Sequence, residues 1–490
     1  YIAANGFAIL CEDEDTLLFT QYGAVIGLPS WPSLTNGGES IELTNASGTI
    51  IDQVTYNSSW YGNSEKDDGG YTLEKVNPFS VCNFANNWRA SEDPTGGTPG
   101  VQNSVYSLAP DTISPNLIKV LVTSSTEIEA VFDEGMDLSS LLAGNYTINN
   151  SITIDSIQLD STNYYGLTLF ISPMTLGVIY TLTADNITDC PGNLIADNIA
   201  DFVLPENGEA GDIIINEILF NPQTGGSDFV EVYNNSSKYI DISKWSLANY
   251  DFDADTIDNI KPVDGQQHII YPNGYALITK DTASTFADYP LSVQGAFVEV
   301  SSLPTYSNND GVVILISQDN EVSDRFDYDA DMHFPLLTND KGVSLERLDF
   351  GRITNDYTNW HSAAENIGFA TPGYENSQYQ PAEEPDSYIG CDPEIFSPDQ
   401  DGYNDVLNIS YDLPEPGYIG TLIIYDAKGR LVRQLMNNEL LSPSGTISWD
   451  GTNDLNEKSR IGIYIIFFSA YSASGDVIQE KGTCVLASQL

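Results

Sequence analysis

Over most of the chain, apolar side chains recur at every second position, and the runs are cut short by Gly, Asn, Asp and Pro. Ser40-Ile41-Glu42-Leu43, Ile128-Glu129-Ala130-Val131-Phe132 and Val230-Glu231-Val232-Tyr233 are examples. A period of two turns one face of an extended strand toward a core and the other toward water, whereas a helix needs a period near 3.6. Few stretches meet the helical period. The pattern predicts short antiparallel strands joined by tight turns, and hence an all-β protein of tandem Ig-like β-sandwich domains in a multidomain rod. A length of 490 residues suits about three or four such domains.

Charge narrows the range of partners. Lys and Arg number 18 against 70 Asp and Glu, a formal net charge of −52, yet charged residues make up only 18% of the chain. It is short of cations rather than crowded with charge. Because nucleic-acid affinity comes mainly from Lys and Arg displacing counterions, the balance argues against DNA, RNA and anionic membranes. Hydrophobic residues at 41% and aromatics at 11% supply enough apolar area to argue against wholesale disorder. No run of 18 apolar residues is present, and the longest candidate, Ile461 to Phe468, is of strand length, so no membrane-spanning helix is expected.

Five cysteines without a CxxC pair lack the ligands of zinc-ribbon or thioredoxin-type chemistry. Cys391 with Cys484, and Cys11 with Cys82, are pairs that neighbouring first and last strands could bring together, bridged or reduced, which leaves Cys190 unpaired. A bridge would imply an oxidising compartment. No signal peptide is visible at Tyr1, which begins inside a strand-like pattern, so residues upstream are expected.

An internal repeat organises the chain. Asn5-Gly6-Phe7-Ala8-Ile9-Leu10 recurs as Asn273-Gly274-Tyr275-Ala276-Leu277-Ile278, and Gly70-Tyr71-Thr72-Leu73-Glu74-Lys75 as Gly342-Val343-Ser344-Leu345-Glu346-Arg347. Asn87-Trp88 recurs as Asn359-Trp360 and Thr98-Pro99-Gly100 as Thr371-Pro372-Gly373, at nearly constant spacing, so only loops changed length. The second copy also has a portion from Asp212 to about Ile270 with no counterpart in the first. Copy one thus starts mid-domain, and about 60 residues that would close its sandwich are expected before Tyr1 on the logic of repeats sharing a core.

Three stretches of the second copy carry a resemblance: Ile214-Ile215-Asn216-Glu217-Ile218-Leu219-Phe220-Asn221-Pro222, Asp228-Phe229-Val230-Glu231-Val232-Tyr233-Asn234 and Ile240-Asp241-Ile242-Ser243-Lys244-Trp245-Ser246-Leu247. Followed by Gly274-Tyr275-Ala276-Leu277, Trp360 and Thr371-Pro372-Gly373, this order resembles the lamin tail domain, over residues 211–378 and a truncated copy at 1–108. The resemblance implies an Ig-like sandwich used, in bacteria, on secreted and surface proteins. Glu217 and Glu231 alternate with core apolar residues, Trp245 and Trp360 read as core fillers, and the Pro-Gly pair as a turn after the last strand, all in the service of packing.

Between the copies, residues 109–206 carry Ile128 to Asp137, Tyr180-Thr181-Leu182-Thr183 and Asp189-Cys190-Pro191-Gly192-Asn193, similar to the bacterial Ig-like domains of surface-layer proteins. Asp189 to Asn193 reads as a turn in which Gly192 supplies positive φ. A linker at 379–390, with Pro381, Glu383, Glu384, Pro385 and Asp386, favours an extended, solvated chain. Residues 391–490 carry Phe396 to Asp405, Leu422 to Val432, Trp449-Asp450-Gly451-Thr452-Asn453 and Gly462-Ile463-Tyr464-Ile465. These resemble the Ig-like domain of flagellar hook-capping proteins and, equally, the C-terminal sorting domains of the type IX secretion pathway of Bacteroidota. Such signals end in a basic, valine-rich strand, whereas Lys481 to Ala487 holds one cation, which leaves open a cleaved address or a permanent cap.

Catalytic sets are not evident. His268, His333 and His361 stand alone, without HExxH or a nucleophile elbow, and no Walker loop appears. With 70 acids, any single carboxylate pair is uninformative as a glycosidase signature. One constellation stands out: Asp399, Asp401, Asn404 and Asp405 surround Gly402, the kind of oxygen-rich turn that supplies the six to eight ligands of Ca²⁺. An Asx-type turn with solvated acids is the alternative. Asp251, Asp253, Asp255 and Asp258 form a second acidic cluster. Thr16, Thr112, Ser156, Thr256 and Thr282 each follow Asp and precede an apolar residue, which resembles the O-glycan acceptor pattern of exported Bacteroidota proteins.

The expectation is a non-enzymatic, exported cell-surface protein acting as scaffold, adhesin or accessory subunit, and a type IX secretion substrate. Its partners would be proteins at the cell surface, the outer-membrane secretion machinery and glycans. Two alternatives stand beside it: accessory modules of a secreted nuclease, phosphoesterase or protease whose catalytic domain lies upstream, and carbohydrate binding through Trp31, Trp60 and Tyr61.

Overall fold

Along Leu407–Asp412 buried and exposed side chains alternate without a break, and the segment is a strand paired on both sides. The same rule builds most of the protein. The computed structural model describes residues 2, 4–80, 85–109, 111–160, 163–379 and 388–487, which contain many short strands and few, brief helices. The all-β tandem architecture is as expected. The chain divides into two compact units, Tyr1–Leu204 and Pro205–Leu490.

In the first unit, residues 111–204 form a sandwich of a four-stranded sheet, ordered Ile154–Asp160, Asn163–Ile171, Glu127–Phe132, Leu117–Ser124, and a three-stranded sheet, ordered Ile199–Val203, Ile179–Ala184, Tyr146–Ile148. Ile128, Phe132, Met136, Leu169 and Leu182 fill the space between them. Among the described residues before position 109 there are three two-stranded sheets: Ile9–Glu12 with Val25–Leu28, Gly38–Thr44 with Ile50–Asn57, and Leu73–Lys75 with Trp88–Ala90.

The second unit holds two sandwiches. In the first of them a six-stranded mixed sheet runs in the order Phe297–Glu299, Tyr275–Thr279, Phe229–Asn234, Ile213–Leu219, Leu345–Arg347, Trp360–Ser362. It faces a four-stranded antiparallel sheet ordered Thr256–Pro262, Ser246–Asp251, Asp310–Ile316, Val322–Asp329. Trp245 and a stack of Phe326 on Trp360, 3.8 Å between ring centroids, lie in the core between them, which places both tryptophans where the sequence suggested.

The two central strands break the period-two rule. Every residue of Ile213–Leu219 and of Phe229–Asn234 is buried. One face meets the opposing sheet; the other is covered by Tyr289 and Ala370, packed on Leu219, Phe229 and Leu277, and by the segment from Thr371 to Gln378. A sheet covered on both sides has no solvent face for polar residues.

The C-terminal sandwich pairs a three-stranded sheet (Ile389–Asp392, Leu407–Asp412, Ser444–Trp449) with a five-stranded one ordered Ile395–Phe396, Val477–Leu486, Gly462–Ser472, Tyr418–Asp426, Leu431–Leu440. Phe396, Trp449, Tyr464 and Phe468 dominate its core. It docks directly on its neighbour: Phe334 packs with Ile419 and Leu440, and Ser442 N–H donates to Asn366 Oδ1 (3.3 Å). Most of the predicted linker lies outside the described residues.

The cysteine scheme needs correction. Cys11 is a free thiol, so the proposed bridge to Cys82 does not form, and Cys82 lies outside the described residues. Cys190, read as unpaired, is disulfide-bonded. Cys391 and Cys484 are both free thiols, and burial first, then the nearby Cys391, pushes Cys484 up to about 12.

Candidate functional sites

The predicted cation loop follows the five-stranded sheet's short first strand. Gln400, Gly402 and Asn404 all take positive φ, which curls the backbone tightly. Gln400 N–H (2.6 Å) and Gly402 N–H (2.9 Å) then donate to the two carboxylate oxygens of Asp405, while Tyr403 N–H donates to Asp401 (2.8 Å). Asp399, Asp401 and Asp405 bring one oxygen each within 4.8 Å of one another. Asn404 uses its backbone carbonyl to accept from Ser397 N–H (2.8 Å). Such a set offers hard oxygens of the type Ca²⁺ takes. The second acidic cluster does not converge in this way: Asp251 accepts from Asp253 and Ala254 N–H, and Asp255 from the Tyr250 hydroxyl (2.5 Å).

A further acidic trio, which sequence reasoning missed, joins Asp111, Glu134 and Asp189, again with oxygens within 4.8 Å. Gly192 does take positive φ in the Asp189–Asn193 turn, and Asp189 accepts from Gly192 N–H (2.7 Å), Asn193 N–H (2.6 Å) and Asn193 Nδ2 (2.7 Å). Burial, then Asp189, Asp111 and Asp133, push Glu134 up to about 7, so a proton held there relieves the repulsion. No linear signal links positions this far apart.

The densest polar cluster sits in the doubly covered sheet. Glu217, Glu231 and Glu346 are all inaccessible to solvent, on three adjacent strands, with Glu217 directly opposite both others in the register. Glu217 accepts from Ser344 Oγ (2.5 Å) and Thr371 N–H (3.0 Å). Glu231 accepts from Asn216 Nδ2 (2.9 Å) and Gly373 N–H (2.5 Å). Glu346 accepts from Thr371 Oγ1 (2.8 Å), Ser377 Oγ (2.7 Å) and Gln378 N–H (2.9 Å). Gly373 takes positive φ, and a Cβ there would press on Val293 and Ala296. The three carboxyls thus fasten the Thr371–Gln378 segment onto the sheet.

Burial raises all three. Desolvation, reinforced by Glu346, pushes Glu217 up to about 8; desolvation pushes Glu346 up to about 7; Glu231 is raised by desolvation and by Glu217. Carboxyls this close and this dry retain protons near neutrality. Alternation in the sequence sets Glu217 and Glu231 between core residues, whereas both lie inside the core. Their signal was a Glu within the run Ile213 to Phe220, where a solvent-facing residue has no place. His333 is also buried, its Nδ1 2.9 Å from Ser362 Oγ, and desolvation lowers it to about 4. Trp60 lies 6.4 Å from Trp88, centroid to centroid, and the Tyr61 hydroxyl donates to Tyr71 C=O, so these aromatics are engaged locally.

Residues 206–330 match the family model of the Lamin Tail Domain. The match takes in the strands that carry Glu217 and Glu231, Trp245 and the four-stranded sheet. Among curated proteins nothing matches. Among solved structures, a DUF4876 family protein from Bacteroides thetaiotaomicron is 12% identical, over 46% of this chain and 95% of that one, with a TM-score of 0.23. The bacterial S-layer protein SbsC is 12% identical over 77% of this chain and 55% of its own, with a TM-score of 0.18. Dimeric latent PorU from Porphyromonas gingivalis is 11% identical over 92% and 40%, with a TM-score of 0.17. The chain spans about half of the S-layer structure's own length.

Proposed function

We propose that the chain is a non-enzymatic, exported modular protein that acts at the cell surface as scaffold, adhesin or accessory subunit through the outer faces of its sandwiches. The observation that carries this reading is where the chemistry lies. The densest set of carboxyls, Glu217, Glu231 and Glu346, is closed to solvent and fastens a backbone segment, which is structural work. The Lamin Tail Domain match covers the strands of Glu217 and Glu231, and the disulfide-bonded Cys190 supports an oxidising compartment. The finer reading includes export by the type IX pathway, Ca²⁺ in the Asp399–Asp405 loop, and protein or glycan partners. Localisation by surface proteolysis of whole cells, with mass spectrometry of the C-terminus, tests it. Recovery in the periplasm or cytoplasm only, or hydrolase turnover abolished by one point substitution, would overturn it.

A further inference from the structure

In a chain with 18 cations among 490 residues, a place that collects several of them has a use for positive charge. One groove on the C-terminal sandwich is lined by four: Lys428, Arg430, Lys458 and Arg460. It lies between the turn that joins Tyr418–Asp426 to Leu431–Leu440 and the loop that leads into Gly462–Ser472, and its volume is ≈ 680 Å³. Asp454 N–H donates to Val432 C=O (3.1 Å), Gln434 N–H to Asp454 Oδ1 (3.0 Å) and Arg433 Nη1 to Asn453 C=O (3.1 Å). These bonds pin the loop to the sheet's edge strand, so the groove is formed before anything enters it.

Its aliphatic side chains stand in water: Leu431, Leu455, Ile461 and Ile463 are each more than half exposed. Apolar area gathered in one place and rimmed by charge marks a contact surface. The acids of the groove are already engaged. Asp426 pairs with Arg430 (2.6 Å), Asp454 takes the Gln434 amide and Glu457 takes Asn453 Nδ2 (3.2 Å). Lys428, Lys458 and Arg460 make no ion pair among the described residues. The complement of such a groove is an apolar knob with carboxylates beside it.

The chain itself presents one. The hairpin of Ser246–Asp251 and Thr256–Pro262 turns through Phe252-Asp253-Ala254-Asp255, away from the C-terminal sandwich in sequence and in a different sheet. Phe252 is 66% exposed, and Asp253, Asp255 and Asp258 are exposed as well. The tip is held in shape: Asp251 accepts from Asp253 N–H (2.9 Å) and Ala254 N–H (3.0 Å), and the Phe252 ring stands edge-on to Tyr250, 5.3 Å between centroids. Arg325, which lies over the Tyr250 ring, is committed to Asp327 (2.6 Å) and leaves the tip acidic.

We propose that this hairpin tip of one copy seats in the C-terminal groove of a second copy, with Phe252 on Leu431, Ile461 and Ile463 and with Asp253, Asp255 and Asp258 toward Lys428, Lys458 and Arg460. Tip and groove belong to different sandwiches, so each added copy leaves one of each open and copies assemble head to tail. The formal net charge of −52 holds copies apart at long range. Salt confines that repulsion to about 8–10 Å near physiological ionic strength, whereas the tip and groove charges act at contact. The inference names one partner for the outer sandwich faces and so rests on the reading under Proposed function; its failure leaves surface localisation and the absence of turnover to their own tests.

Sedimentation velocity of the 490-residue chain near physiological ionic strength should show an average mass that rises with concentration. Phe252→Asp, which removes the tip, and Ile463→Asp with Lys458→Glu, which removes the groove, should each weaken association by about tenfold or more. Because these side chains are exposed, the melting temperature should stay as it is. Mixed in equal amounts, the two variants should form dimers and nothing larger, since the first keeps its groove and the second its tip. A wild-type chain that stays monomeric, variants that assemble alone, or a mixture no more associated than its parts would overturn the proposal.

Discussion

Glu217 has no water with which to share a charge, and its nearest acidic neighbours are two more carboxyls in the same sheet. Because its folded pKa is raised to about 8 and that of Glu346 to about 7, the protonated forms belong to the folded state. Stability from these groups is fully present below the ordinary Glu range and is lost as pH rises through about 7 to 8. The hydroxyls of Tyr289 and Tyr374 face the same cluster and are themselves held protonated by burial. Thermal unfolding should therefore show a melting temperature that falls from about pH 5 to about pH 8 and levels off above that. Glu217→Gln mimics the protonated carboxyl and should flatten that fall, whereas Glu217→Ala should cost about 1–3 kcal/mol at every pH by stranding Ser344 and Thr371. An unchanged slope in the Gln variant would dissociate the cluster from the pH response. At the Asp399–Asp405 loop, calorimetric titration should detect Ca²⁺, and Asp401→Asn should remove the heat while the sandwich still melts as before.

Position within an element decides what a substitution does. Leu315→Asp places a charge in a sealed core and should cost about 4 kcal/mol or more, whereas Ile260→Asp, at an exposed position of the edge strand Thr256–Pro262, should stay within about 0.5 kcal/mol. Urea unfolding followed by tryptophan fluorescence separates these outcomes; equal costs would mean that burial at Leu315 does not decide the penalty. The same contrast explains what the sequence disclosed. Strand type and the repeat were legible because alternation and turn residues are local, and the repeat returns in matched strand positions of the two copies. The glutamate cluster was not legible in full: alternation assigns Glu217 to a wet face, and only the Thr371–Gln378 segment, folded back from far along the chain, makes that face dry. The Asp111–Glu134–Asp189 trio and the pairing of Cys190 depend likewise on tertiary neighbours that spacing does not encode.

Taken whole, the molecule has a formal net charge of −52, and 18 cations cannot neutralise 70 acids however they are arranged. Several of those cations are already committed: Arg347 is buried against Asp324, and Arg430, Arg352 and Arg325 each pair with a nearby Asp. The remaining acids repel one another across the sandwiches, and folding brings them closer than they stand in an expanded chain. Salt shortens the reach of that repulsion to about 8–10 Å near physiological ionic strength. Melting temperature should therefore rise steeply as NaCl is added from low ionic strength and level off once that reach falls below the spacing of the surface acids. A gain that continues linearly into molar salt would instead mark exclusion of salt from the protein surface, which strengthens apolar burial whatever the charge. A flat response would mean that the acids are spaced too widely for mutual repulsion to matter. The plateau, rather than the size of the gain, identifies charge repulsion as what limits the stability of this acidic array.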